Sequence, residues 1–261
     1  MTGNPFNFRS SKNERAPAWG SFLVAEITYY SYSVEKHRKM KRLPLSGKSK
    51  VDALSDKVIR ALLERHDCPL PFHAVRTFFM GSISSPDMGV SPMQTIRDLW
   101  GGELPEFESG ADAELLLTGL MQGLWNGLAK HQKRTSPFKL TRVKTEQPSW
   151  ETLARLSLVR FEEIEGFIEG LFGVHDEIDL PEKAHGASNV LGELRAMIGG
   201  VHQLATTKAA PTGVTELEGL IKQIRELSII AEKEINVAIQ SCKNARAHMI
   251  DTYVAEKPVL H

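Results

Sequence analysis

The chain has 261 residues, 41% of them hydrophobic, which is enough to bury a core and excludes general disorder. Thirty-two Lys and Arg balance 32 Asp and Glu, so bulk charge argues for no nucleic-acid, membrane or acidic ligand. Charge is uneven, however: residues 1–50 hold ten Lys/Arg against three Glu, a net +7 that leaves −7 for the remainder, the mark of an appended basic arm.

Residues 1–17, with Pro5 and Pro17, read as a polar tail. Trp19 to Met40 reads as a helix, although the β-branched and aromatic run Ile27 to Val34 also fits a strand. Leu43 to Lys50 is a linker by its Pro, Gly and Ser content. From Val51 the positions Leu54, Val58, Ala61, Leu62 and the stem of Arg65 follow helical spacing, and Pro69 and Pro71 stop that helix. A second helix runs from near His73 to the boundary at Ser84, Ser85 and Pro86. A third, short one is delimited by Ser91 as cap, Pro92 in the first turn and Gly101 as a left-handed stop.

Residues 109–131 lack proline and carry Leu115, Leu116, Leu120, Leu124 and Leu128 beside Gly119, Gly123 and Gly127. Spacing of four aligns the glycines on one helical face, and each costs about 1 kcal/mol relative to alanine, so another backbone is expected against them. The expected partner is the helix over 149–172, crossing at Gly166 and Gly170. A further helix is predicted over 182–204, then a break over 205–214. A capping-box pair, Thr215 and Glu218, opens the last helix. There Leu217, Ile221, Ile224, Ser228, Ala231, Ile235, Ala238, Cys242, Ala245 and Met249 form a coiled-coil-like seam. The fold class is therefore all-α: a multi-helix bundle with a basic N-terminal arm (1–50), a helical core (51–204) and a long C-terminal helix (215–255) packed on the core or on a dimer partner.

The segment Phe79-Met-Gly-Ser-Ile-Ser-Ser-Pro86, then Leu99-Trp-Gly-Gly-Glu-Leu-Pro-Glu-Phe-Glu108, Leu124-Trp-Asn-Gly127 and Glu165-Gly-Phe-Ile-Glu-Gly-Leu171, resembles the bacterial YecA/YgfB-like family over about residues 70 to 175. The chain departs from the family pattern at Arg76-Thr-Phe-Phe79 and at Ile164-Glu165, and lacks the C-terminal cysteine-rich zinc motif of some relatives. The resemblance implies an all-helical fold that often dimerises, in a family mostly without assigned activity.

Chemistry is sparsely signalled. His66-Asp67 and His175-Asp176 each offer the dipeptide of HD-type metal-dependent phosphohydrolases, with His37 and Asp112 as further ligands for the first. Eight Asp/Glu and no Lys/Arg lie between Phe161 and Glu182, read as a solvated acidic face or a surface for a basic partner. Gly47-Lys-Ser49 resembles the end of a P-loop, but Arg42 stands where its first glycine is needed. Cys68 and Cys242 have no zinc or redox spacing. No Gly-x-Ser-x-Gly elbow or His-Glu-x-x-His pair occurs, so no catalytic, cofactor or metal residue is assigned.

Two basic segments remain. One joins Lys36, Arg38, Lys39, Lys41 and Arg42 to Tyr29 and Tyr30, a set suited to phosphates and bases or to a protein partner. The other is the acid-free run Lys130 to Lys144. With no signal core and no run approaching ~18 apolar residues, a cytoplasmic protein without a membrane span is expected. The reading is a non-enzymatic interaction or regulatory protein, without cofactor, homodimeric and bound to a protein partner. The alternatives are a nucleic-acid-binding regulator using the basic arm and an HD-like metal hydrolase.

Overall fold

A computed structural model describes residues 55–145, 147–173, 178–207 and 213–255, which fall within the unit Val51–His261. Among them the fold is all-α, with no strand. Helix α1 (Asp56–Arg65) buries Ile59, Leu62 and Leu63 at spacings of three and one. Val58, expected inward, is 38% exposed, because the stripe is centred one position further on, where Ile59 lies on the side of Leu62 and Leu63. Helix α2 (Phe72–Ser84) begins straight after Pro71 and is buried on nearly every side, as befits a helix apolar all round.

Helix α3 (Pro92–Asp98) carries Pro92 at its first position, and Gly101 beyond it takes φ +79° as expected. Ser91 holds the cap position without a side-chain capping bond. Helix α4 (Gly110–Thr118) is capped by Ser109, whose Oγ accepts from the Asp112 N–H at 3.2 Å. It continues into a π-helical run, Gly119–Trp125, then helix α5 (Asn126–Ala129) and a 3-10 turn, Lys130–Gln132.

Helix α6 (Trp150–Phe172) is capped by Ser149, accepting from the Thr152 N–H at 3.1 Å. Helix α7 (Glu182–Thr207) follows, then α8 (Val214–Ala255), whose 42 residues span about 63 Å. The carbonyl of Gly213 accepts from Glu216 and Leu217, which places Thr215 inside the first turn. The expected capping box is corrected accordingly: the chain enters the helix two residues before the pair could act.

Helix α6 is the axis. Helices α2, α7 and α8 all pack on it, α8 also covers α7 and α2, and the π-helical run joins α1 and α3 to the bundle. Burial of each large aliphatic or aromatic side chain in this core contributes about 1.5–3 kcal/mol.

Glycines set the closest approach, but not between the predicted helices. A Cβ on Gly166 would meet the Ala74 carbonyl oxygen at 2.8 Å, and one on Gly170 would meet that of Phe78 at 1.9 Å. From the other side, a Cβ on Gly81 would lie 2.3 Å from the Phe167 oxygen. Gly166 and Gly170 therefore pack on α2, the first against Ala74 and Phe78 and the second near Gly81, and not on the helix bearing Gly119, Gly123 and Gly127. In that helix Gly119 is buried and Gly123 half-buried, while a Cβ on Gly127 meets nothing within 4 Å.

Candidate functional site

The most densely bonded polar construction surrounds residues 137–145, a strap without regular secondary structure between the 3-10 turn and α6. Side chains on three helices satisfy its main chain. Asn236 of α8 reads both backbone groups of Phe138: its Oδ1 accepts from the amide at 2.8 Å and its Nδ2 donates to the carbonyl at 3.0 Å. Glu232, one turn earlier, accepts from the Leu140 N–H at 3.1 Å and from Lys139 Nζ at 2.7 Å. Glu163 of α6 accepts from the Thr141 N–H at 2.7 Å, and Arg160 donates to the Thr141 carbonyl at 2.6 Å and to Ser228 Oγ at 2.9 Å.

Arg160 and Glu163 also form a buried ion pair. Arg76 of α2 donates to Thr141 Oγ1 at 3.1 Å and lies over the Phe138 ring, 5.4 Å from its centre. Such saturation is what a buried segment outside helix and sheet requires, since each orphaned amide costs about 1–3 kcal/mol. Phe138 is fully buried, Leu140 and Val143 half-buried, and Lys139, Arg142 and Lys144 point outward.

A second cluster closes the end of α1. His66 Nε2 and Asp112 Oδ2 lie 3.6 Å apart, both side chains buried, and neither atom has a hydrogen-bond partner among the described residues. Arg65 meets the other Asp112 oxygen at 3.2 Å, and the His66 carbonyl accepts from Trp100 Nε1 at 2.9 Å. So His66 and Asp112, two members of the proposed HD set, do come together. Asp67 is turned away to an exposed position with φ 49°, and no group of three His, Cys, Asp or Glu that could hold a metal occurs among the described residues.

The acid-rich stretch is not a solvated face along α6. Glu163 is fully buried, Glu162 lies 2.6 Å from His73 Nε2, and Glu165 pairs with Arg195 of α7 at 3.2 Å. Burial raises the Glu165 carboxyl, with Arg195 opposing, and raises Glu169 to about 7, helped by the neighbouring Glu165 charge. These acids are spread over both sides of α6, so burying one side of it buries some of them. Burial likewise pushes the Cys68 and Cys242 thiols up to about 11, which keeps both in the thiol form near neutral pH.

Tyr29, Tyr30, Lys36, Arg38, Lys39, Lys41 and Arg42 lie outside the described residues, as do His37, His175 and Asp176. The C-terminal seam is buried within the chain from Leu217 through Ile221, Ile224, Ala231, Ile235 and Ala238 to Cys242, whereas Met249 is 45% exposed. The strap was missed in the sequence except as a basic run; its alternation of outward cations with Phe138, Leu140 and Val143 was the available signal. No helix among the described residues is long and apolar enough to cross a membrane. Comparison with family models, curated proteins and solved structures gives no match.

Proposed function

We propose that this is a non-enzymatic interaction protein that works as a homodimer, joined through the last turns of α8. The observation that carries the reading is that the seam outruns its own core. Its final fully buried position is Cys242, and a heptad further on Met249, with Ile250 beside it, is exposed. Helix α7 has 26 residues, about 39 Å, against which the ~63 Å of α8 has no equal neighbour. Of the nine large apolar side chains exposed among the described residues, six lie on α8, and three of these, Met249, Ile250 and Tyr253, lie on its last turns, where one helix would serve as both halves of a two-fold contact. The likeness of residues 70–175 to the YecA/YgfB-like family, whose members often dimerise, supports the same reading.

Sedimentation velocity of the full chain from about 1 to about 100 μM is expected to show a concentration-dependent dimer. Met249→Glu with Ile250→Glu should leave a folded monomer whose melting temperature no longer depends on protein concentration, because both side chains lie beyond the core. A native monomer across that range sinks the proposal and reassigns these turns to a different protein.

A further inference from the structure

We propose that the two copies meet end to end, with the last turns of α8 from each lying antiparallel against those of the other. The proposal rests on the dimer reading above and fixes which way the second copy points.

Beyond Cys242 the seam keeps its rotational phase. At about 100° a residue, Met249 and Tyr253 return to within about 20° of Cys242 around the helix axis, and Arg246 to within about 40°. Cys242 is fully buried, and Arg246 still faces the core, where it donates to the Ile83 carbonyl at the end of α2 at 2.8 Å. Met249, Ile250 and Tyr253 are 45%, 47% and 66% exposed. Their exposure comes with no turn of the stripe toward the opposite side: it still points to the side on which α2, α6 and α7 pack.

This phase decides between the two ways in which a helix can pair with its own copy. In a parallel pair the partner's α8 would run back alongside Cys242, through the space that α2, α6 and α7 already fill. In an antiparallel pair the partner arrives from beyond the C-terminal end of α8, and its own bundle lies on the far side of the contact. Only the second arrangement covers the stripe from the side on which it is apolar. The chemistry along the stripe agrees. With the two-fold axis between Met249 and Ile250, at the middle of the stripe, each residue meets the one equally far on the other side. Arg246 of one copy therefore comes opposite Tyr253 of the other, and the pairing occurs twice. A guanidinium over a tyrosine ring is attractive, whereas a parallel pair sets Arg246 against Arg246.

The test is pulsed electron paramagnetic distance measurement on the full chain at about 100 μM. Each copy carries one spin label on an exposed position of α8, Lys233→Cys or Glu226→Cys, in a Cys68→Ser background, Cys242 being buried. At about 1.5 Å rise a residue, the antiparallel pair separates the labels at position 233 by about 50 Å and those at position 226 by about 70 Å. Moving the label back two turns thus lengthens the separation by about 20 Å. A parallel pair, its axes about 8–10 Å apart, keeps both separations short and equal. Ending the chain after Ala255 should preserve the dimer and both separations, since every pairing invoked lies between Arg246 and Tyr253. A dimer whose separations do not lengthen in this way, or one lost on ending the chain after Ala255, overturns the antiparallel arrangement and leaves the dimer reading standing. A chain that sediments as a monomer and shows no intermolecular separation overturns the dimer reading and this arrangement with it, as does a dimer that survives Met249→Glu with Ile250→Glu.

Discussion

Glu169 holds a carboxyl that prefers its proton in the folded chain, at about 7 against an ordinary 4.5, because burial and then the Glu165 charge penalise ionisation. The folded state thus binds the proton more tightly than the unfolded state. Its stabilising contribution is complete below pH 4.5 and is lost as pH rises through about 7. For a half-buried group, after allowance for solvent screening, that loss is about 1–2 kcal/mol. Glu169→Gln should therefore melt at a higher temperature than the native chain at pH 8 and match it closely near pH 5, and parallel melting curves at both pH values would contradict the assignment. Glycines give a contrast at the same scale. Gly170→Ala forces a methyl onto the Phe78 carbonyl, where only backbone could yield, and should cost more than about 3 kcal/mol. Gly127→Ala meets open space inside α5 and should gain up to about 1 kcal/mol. Chemical denaturation of the two variants reads both signs.

Between elements, the Arg160–Glu163 pair ties α6 to the strap and α8. Glu163→Leu alone leaves the Arg160 guanidinium buried without its carboxylate, a loss of about 3–5 kcal/mol. Arg160→Met with Glu163→Leu removes the stranded charge but still orphans the Thr141 amide and carbonyl, so a double-mutant cycle should show only partial recovery. Asn236→Ala should cost about 2 kcal/mol and accelerate amide exchange at Phe138 ahead of the rest of the strap. These ties show where sequence reading stops. Helix starts and stops followed from local chemistry: Pro69 and Pro71, Pro92 and Gly101, and the proline-free stretch over 149–172. The seam was legible as far as Cys242 because its spacing is internal to one helix. Which glycines meet was not, since Gly170 and Gly81 are joined by tertiary packing alone. Nor was the strap clamp, whose partners Phe138 and Asn236 stand 98 residues apart.

For the whole molecule, the division of α8 into a buried part and an overhang makes its two ends unequal. Ending the chain after Arg246 keeps the bond from Arg246 to the Ile83 carbonyl at 2.8 Å and all of the buried seam, so the shortened protein should fold and melt within a few degrees of the native one while losing self-association. Ending it after Ser228 removes Glu232, Asn236 and Cys242 together and should leave an unfolded chain by circular dichroism. The sequence left the 215–255 helix to pack on the core or on a dimer partner, and α8 packs directly on α2, α6 and α7. Charge and periodicity mark an element's surface but not its neighbour, and for that reason the legible part of the candidate surface was its basic composition and not its geometry.

The π-helical run Gly119–Trp125 also sets the rotational phase of everything after it. A π turn is an α-helix carrying surplus residues, and each surplus residue shifts the following side chains by about 100° around the axis. Leu124 and Leu128 are buried, and Trp125 meets the Phe79 ring edge-on at 5.7 Å, only because that offset is present. Deleting the exposed Gln122 would remove one such residue, so ordinary winding could resume with Trp125 and both leucines still in phase with α2. The shortened chain should therefore keep both its helicity and its near-ultraviolet tryptophan signal, whereas an alanine inserted next to Gln122 should turn Trp125 away from Phe79 and lose that signal.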